Sequence, residues 1–239
     1  KGVCLSMRAV PLVENHERIG AVLMCRDVSE VRRRERELIT KDATIREIHH
    51  RVKNNLQTVA ALLRMQSRRM TVPEAKDALD EAMRRVSTIA LVHDSLSKTL
   101  DEEVEFDDMV GRALRLAADV AAAGISVRTL QRGSFGLIPA GDATPLALIL
   151  TELVTNAVEQ GLNNTEGRTV EIIVDRKADD LVVVVSDNGV GLNGSVPSSG
   201  LGTTIVRTLV NNELQGTIDW GDREGGGTEV RIEVKLRNT

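Results

Sequence analysis

Two groups of residues in this chain have the types and spacing to do chemistry, and they stand about 100 positions apart. The first is Glu47-Ile48-His49-His50-Arg51-Val52-Lys53-Asn54-Asn55-Leu56-Gln57. A neutral imidazole nitrogen is a nucleophile, and it can accept a phosphoryl group only where a mobile donor can reach it. The second group is spread over four segments. Glu152 and Asn156 stand four apart in the apolar stretch Leu146–Gln160, so on a helix they lie side by side. Asp187-Asn188-Gly189-Val190-Gly191 closely follows the apolar run Leu181–Val185, which reads as a buried strand. Ser199-Gly200-Leu201-Gly202-Thr203 precedes the amphipathic Ile205–Leu214, and Gly225-Gly226-Gly227-Thr228 opens the alternating Glu229–Val234. Each segment suits a nucleotide pocket. A carboxylate at a strand end accepts the adenine amino proton. Glycines let backbone approach a ring or a phosphate closely. A glycine pair before a helix offers phosphate free N–H groups and the positive end of a dipole. An Asn carbonyl is a hard oxygen ligand for Mg2+ already chelated by phosphates. Any one glycine segment alone is an ordinary turn; four elements in this order point to one site.

These residues need elements to hold them. Val31, Leu38, Ile45, Val52 and Val59 recur every seven residues, with Ile48, Leu56, Leu62 and Leu63 filling the companion seam of a long helix. With Ile45 at position a, Ile48 falls at d, His49 at e and His50 at f. Position f faces away from the seam, which makes His50 the candidate nucleophile. The spacing predicts a helix from about Glu30 to Met70, broken at Thr71-Val72-Pro73, with Pro73 placed to begin the next. That second helix, about Pro73–Ser97, carries a seam through Leu79, Ala82, Val86, Ile89, His93 and Leu96, so His93 reads as a satisfied core residue. Two such helices make an antiparallel hairpin, and burying both stripes requires a second hairpin: a four-helix bundle in a homodimer.

From about Asp101 to Asn238 helix and strand patterns mix. A helix over Val104–Val120 and the Asn-bearing helix accompany strands at Gly124–Leu130, Leu137–Pro139, Val170–Asp175 and Leu181–Ser186. The expected fold class is α+β: the hairpin domain plus an α/β sandwich whose mixed sheet is covered by helices on one face. Leu192–Ser199 is small, polar and hinge-like, a short lid without a phenylalanine anchor.

Composition narrows the class. The chain has 239 residues, 41% hydrophobic and 28% charged, which suits one to three small domains. Formal charge is −4 and basic residues are scattered, so no nucleic-acid face is expected. No apolar stretch reaches the ~18 residues of a membrane span and no signal peptide is visible, which leads to the expectation of a cytoplasmic chain. Cys4 and Cys25 lack metal or redox spacing and sit in apolar strand-like runs, so buried free thiols are expected. Residues 1–27 hold two strand-like runs, Val3–Val13 and Arg18–Arg26, too few for a stable domain. With Lys1 at the start, they read as the C-terminal remnant of a longer sensor domain.

The order of Asn helix, DxGxG, GLG and GGGT resembles the Bergerat-type ATPase domain of histidine kinases, gyrase, certain heat-shock chaperones and MutL. Ile48–Gln57 (IHHRVKNNLQ) looks like the phosphoacceptor box of the HisKA_2 histidine kinases, related to the HWE kinases. The nearest flavour is the soluble actinobacterial sensor kinases whose regulators carry RNA-binding ANTAR domains. Asp27-Val28-Ser29-Glu30 resembles the acidic motif that ends many PAS domains. The resemblance divides the chain into 1–29 as a PAS-like remnant, 30–100 as the dimerisation and phosphotransfer hairpin, and 101–239 as the ATP-binding domain.

It also implies roles. His50 is the phosphoacceptor, agreeing with the heptad position. Asp187 accepts the adenine amino hydrogen, Gly189 and Gly191 line the base and the lid hinge, and Thr228 backs the adenine water network. Gly200, Leu201, Gly202 and Thr203 present the phosphate-binding turn, and Asn156 holds Mg2+. Glu152 orients water on Mg2+, activates a nucleophile or pairs with a neighbour; Asn54 positions water for dephosphorylating a regulator or is an ordinary helix residue. The implied reaction is transfer of the ATP γ-phosphate to the imidazole and onward to an aspartate in the receiver domain of a response regulator. Many kinases place an acid just after the acceptor; here that position is Arg51, which cannot act as a base. A non-kinase ATPase of the same fold and a nucleotide-binding pseudokinase scaffold are the competing readings.

Overall fold

A computed structural model describes residues 3–14, 16–97, 103–121, 127–161, 169–192 and 200–237. Of the expected lid, Leu192–Ser199, residues 193–199 fall outside these described residues, as do Asn163 and Asn164. The chain divides into two compact units, residues 1–48 and 49–239.

The first unit holds β1 (Leu5–Glu14) and β2 (Glu17–Asp27), antiparallel from Leu5↔Asp27 to Glu14↔Glu17. Helix α1 (Ser29–Ser67) follows at once. Its start is tied to β2 and to the residue before β1: the Ser29 N–H donates to Asp27 Oδ1 (2.9 Å), and the Cys4 N–H donates to Ser29 Oγ (2.7 Å). Hydrogen bonds from Ser29 hold the Asp27 carboxyl below its ordinary range. Met7, Ile19 and Leu23 are exposed. Cys25 is exposed too and Cys4 half-buried, which corrects the expectation of two buried thiols. These two strands pair only with each other, and a two-stranded ribbon by itself buries little.

In the second unit α1 lies antiparallel to α2 (Pro73–Leu96), with Pro73 in the first turn. His49 meets His93, Lys53 meets Asp94, Arg64 meets Met83 and Ser67 meets Asp80, which fixes the hairpin register. Val52, Leu56 and Leu63 are half-buried, while Val59, Leu62 and Met65 remain 43%, 56% and 53% exposed. On α2 Val92 and Leu96 are buried in the core of the α/β part, which corrects the placing of Leu96 on the hairpin seam.

That part runs β3 (Glu103–Glu105), α3 (Phe106–Ala121), β4 (Arg128–Arg132), β5 (Leu137–Pro139) and α4 (Ala140–Asn156), extended by a π-helical turn, Ala157–Gly161. Strands β6 (Thr169–Lys177) and β7 (Asp180–Asp187) follow, then α5 (Leu201–Thr208) with a second π turn, Leu209–Glu213, and finally β8 (Thr217–Asp222) and β9 (Thr228–Lys235). The sheet order is β4-β6-β7-β9-β8, with β4 and β6 parallel and the other pairs antiparallel. Alternate residues Ile172, Val183, Val185, Val230 and Ile232 are buried against Leu146, Ile149, Leu150 and Leu153 of α4. On the opposite face Ile173 is 39% exposed, so among the described residues helices cover one side of the sheet. Phe106 and Phe135 fill the α3 end of the core, edge to face with centroids 5.0 Å apart. Asp107 in the first turn of α3 secures the loop before β5. Burial alone would raise its carboxyl; bonds from Ser134, Gly136, Phe135 and Gln131 outweigh that and hold it below the ordinary value.

Three elements depart from the sequence expectation. Helix α3 begins at Phe106 because Glu103–Glu105 pair with Leu137–Pro139 as a short ribbon. Helix α4 begins six residues early, at Ala140, and accommodates Pro145; its first turn is anchored by buried Asp142, which accepts the Arg237 N–H at 2.8 Å. Strand β8, at the sheet edge, was not anticipated at all.

Candidate nucleotide site

β7 delivers Asp187 to the end of the sheet, where the residue is 3% exposed. Oδ1 accepts the Gly189 N–H (2.8 Å) and the Thr228 N–H (3.2 Å), so the carboxylate is fixed by its own turn and by the start of β9. Oδ2 is thereby left as the oxygen suited to an incoming donor. The turn can close this tightly only with glycine. Gly227 has φ +100°, and a Cβ there would sit 2.0 Å from the Asp187 carbonyl oxygen. Gly191 has φ +72°, with Asp222 Oδ1 and the Gly227 carbonyl against it.

A cleft opens beside this carboxylate. Its floor is Val185, Val230 and Trp220, its helix wall Leu153, Asn156 and Ala157, and its mouth Val190, Gly191, Leu192 and Thr203, with Thr228 beside Asp187. Of the residues expected to bind nucleotide, Asn156, Asp187, Gly191, Thr203 and Thr228 line it. Gly189 spends its N–H on Asp187 instead. Gly200 and Leu201 are exposed at the start of α5, where the first N–H groups of a helix have no partner within the helix. Gly202 is buried against α4: a Cβ there would sit 2.9 Å from Glu152 Oε2 and 3.6 Å from Asn156 Oδ1. The start of α5 and the end of α4 therefore converge.

Glu152 is 5% exposed and does not stand alone. Arg85 of α2 holds it bidentately, Nε to Oε1 at 2.8 Å and Nη2 to Oε2 at 3.0 Å, and also pairs with Glu81. Arg84 pairs with Glu159 at 3.3 Å. Burial works against the Arg85 cation, but the two carboxylates outweigh it and hold the guanidinium proton more firmly than usual. Of the three uses open to Glu152, the pairing with a neighbour is the one present in this arrangement. Mg2+ also fits the residues present. Among the described residues no group of three or more His, Cys, Asp or Glu could hold a metal. A cation bound chiefly through phosphates and water, with one hard oxygen from Asn156, asks for no such cage.

His50 is exposed on α1, and His49 beside it is half-buried. The His49 and His93 Nδ1 atoms are 3.0 Å apart, so one ring donates and the other accepts. Burial first, and His49 second, push the His93 pKa down. Asn54 is exposed one turn beyond His50, and neither residue lines the cleft. Sequence reasoning missed Trp220 and Arg85. The alternation Ile218, Trp220 was a legible strand signal; nothing in the sequence pairs Arg85 with Glu152. No described helix is long and apolar enough to cross a membrane.

Comparison with known proteins agrees with this geometry. Residues 47–119 match the family HisKA_2, described as histidine kinase, and residues 141–238 match HATPase_c, described as histidine kinase-, DNA gyrase B-, and HSP90-like ATPase. The sensor histidine kinase PdtaS of Mycolicibacterium smegmatis is 48% identical over 98% of this chain and 48% of its own length. PdtaS of Mycobacterium tuberculosis is 47% identical with the same coverage. The chain thus spans about half the length of these curated relatives. In structure, the histidine kinase domain of the Erythrobacter litoralis EL346 blue-light activated histidine kinase shares the fold, with a TM-score of 0.58 at 23% identity over 84% of this chain and 94% of that one. The hairpin with exposed His50 lies within the HisKA_2 match and the cleft ending at Asp187 within the HATPase_c match, and the chain belongs to the HisKA_2 histidine kinases with a HATPase_c ATP-binding domain.

Proposed function

We propose that this chain is the kinase portion of a cytoplasmic sensor histidine kinase, which autophosphorylates His50 from Mg-ATP and passes the group to an aspartate in a response regulator's receiver domain. The observation that carries the reading is Asp187. Its buried carboxylate is fixed by two backbone N–H groups at the end of a half-apolar cleft, in the same compact unit as exposed His50.

Asp187 Oδ2 accepts the adenine amino hydrogen, while guanine would set a carbonyl against it. The α5 start receives phosphate on its free N–H groups, and Asn156 holds Mg2+, which neutralises phosphate charge. A neutral His50 ring attacks phosphorus in line: an N–P bond forms, the bond from phosphorus to the bridging oxygen breaks, ADP leaves, and the ring proton passes to solvent or a nearby base. Arg85, clamped at Glu152, stands eight residues from His93 along α2, about 12 Å at ~1.5 Å per residue. Reacting atoms must come within ~3.5 Å. In this reading the ATP domain shifts along the hairpin to reach His50, or delivers phosphate between subunits. The exposed stripe Val59, Leu62 and Met65 supports a homodimer through the hairpins, and residues 1–29 read as the end of a PAS-like sensor domain.

Incubation with γ-³²P-ATP should give acid-labile, base-stable label, the signature of phosphohistidine. His50→Gln should abolish it with nucleotide binding retained, and His49→Gln should keep most of it. Label surviving in His50→Gln would remove the assignment. Nucleotide hydrolysis without any protein label would favour the non-kinase ATPase, and binding without either would favour the pseudokinase scaffold.

A further inference from the structure

The chain has three aromatic residues, Phe106, Phe135 and Trp220. Both phenylalanines are fully buried and packed against each other. Trp220 is placed differently: half-buried on the edge strand β8, its indole lines the cleft that ends at Asp187. The sheet register shows how. Trp220 stands opposite Val230, and Val230 opposite Val185, so the three form one row across β8, β9 and β7, and all three line the cleft. Two residues along the same strands, on the same face, stand Thr228 and Asp187. With strands ~4.8 Å apart, the row is a floor about 10 Å wide, polar at the Asp187 end and aromatic at the far side. Above it stand Leu153 and Ala157 of α4. The indole is also held: the Arg207 guanidinium of α5 lies over the ring, 4.1 Å from its centroid, covering one side of it.

We propose that Trp220 is a nucleotide-recognition residue, the aromatic wall against which the base of a purine nucleotide packs, and that Arg207 is the residue that positions it. The inference rests on the nucleotide reading of the cleft and adds which side chain, beyond Asp187, selects a large flat base. Asp187 reads the amino group; Trp220 reads the ring. A pyrimidine hydrogen-bonded at Asp187 would leave part of this floor uncovered, so the wall favours ATP and ADP over CTP. Arg207 stacks on the indole without meeting the base, and its contribution passes through the orientation of the ring.

Because Trp220 is the single tryptophan, its emission reports the site directly. Titration of the full chain with ATP should change that emission saturably, with the midpoint found by equilibrium dialysis of radiolabelled ATP. In dialysis, Trp220→Phe should bind within about threefold of the parent, and Trp220→Ala at least tenfold more weakly, the size expected for a lost base–aromatic stack. Arg207→Leu should weaken ATP binding severalfold and make the indole more accessible to acrylamide, and Arg207→Lys should restore part of both. Circular dichroism melts identify any variant that fails to fold; Trp220→Phe and the parent emission then decide alone. Parent chain that binds ATP in dialysis with unchanged emission overturns the proposal and leaves the nucleotide site standing, as does a folded Trp220→Ala that binds within twofold. Parent chain that binds no nucleotide at all overturns the nucleotide reading and this one with it.

Discussion

Replacing Arg85 tests whether the histidine hairpin and the nucleotide site are coupled by the ion pair between them. The Glu152 side chain is 7% exposed and Arg85 16%, and the two meet through a fork of two hydrogen bonds at 2.8 and 3.0 Å. Charge-assisted hydrogen bonds contribute roughly 1.5–3 kcal/mol, and breaking a buried pair by removing one partner costs about 3–5 kcal/mol. Residual exposure of Arg85 and its second partner Glu81 pull the estimate toward the lower end. Arg85→Met keeps the apolar stem and strands the carboxylate, and should destabilise the unit 49–239 by about 3 kcal/mol. At roughly 2–4 °C per kcal/mol for a unit of this size, that is a fall in Tm of about 6–12 °C. Glu152→Gln keeps an acceptor and should cost about half as much. Urea melts of both single variants and the double variant give the coupling energy, expected at about 1.5–3 kcal/mol. A coupling below about 0.5 kcal/mol would mean the pair behaves like an exposed one, and the hairpin would not be fastened to Glu152.

Asp187→Asn should lose nucleotide binding outright, whereas Asn156→Ala should lose Mg2+-dependent turnover while binding a fluorescent ATP analogue within a few-fold; an Asp187→Asn that binds like the parent would displace the pocket. Burial and His49 hold His93 below the ordinary histidine value, so the unfolded chain takes up a proton first as pH falls. Hairpin stability should then be full above about pH 6.5 and decline below it, a slope that His93→Gln flattens; a pH-independent melt in the parent would refute this. Val52→Glu places a charge on the α1 seam and should turn a dimer into a monomer in sedimentation with little phosphohistidine formed. A parent that sediments as a monomer at micromolar concentration would end the hairpin-dimer reading.

What was legible in the sequence follows from how local the cause is. The seven-residue repeat marked the helices α1 and α2 and the exposed position of His50, but not the face that packs in the hairpin: Ile48, placed on the seam, is 53% exposed, while His49 beside it is half-buried against His93. Asp187 and Thr228 were legible because glycine-rich turns have few conformations, and Gly191 and Gly227 occupy ones that other residues resist. The early start of α4 was hidden because Pro145 reads as a breaker, while its compensation, buried Asp142, is held by Arg237 95 positions away. Edge strand β8 carries only one alternation, Ile218 to Trp220, and its place in the cleft depends on a register with β9 that no local pattern encodes. Arg85 is the extreme case. In sequence it is one more basic residue on a polar helix face, and its meaning comes only from the docking of α2 on α4. The residues that would perform the transfer are thus written in short motifs, but those that join acceptor helix to nucleotide cleft are written in tertiary packing alone. Coupling between the hairpin and the nucleotide cleft is therefore best probed by substitution at Arg85, a position no motif singles out.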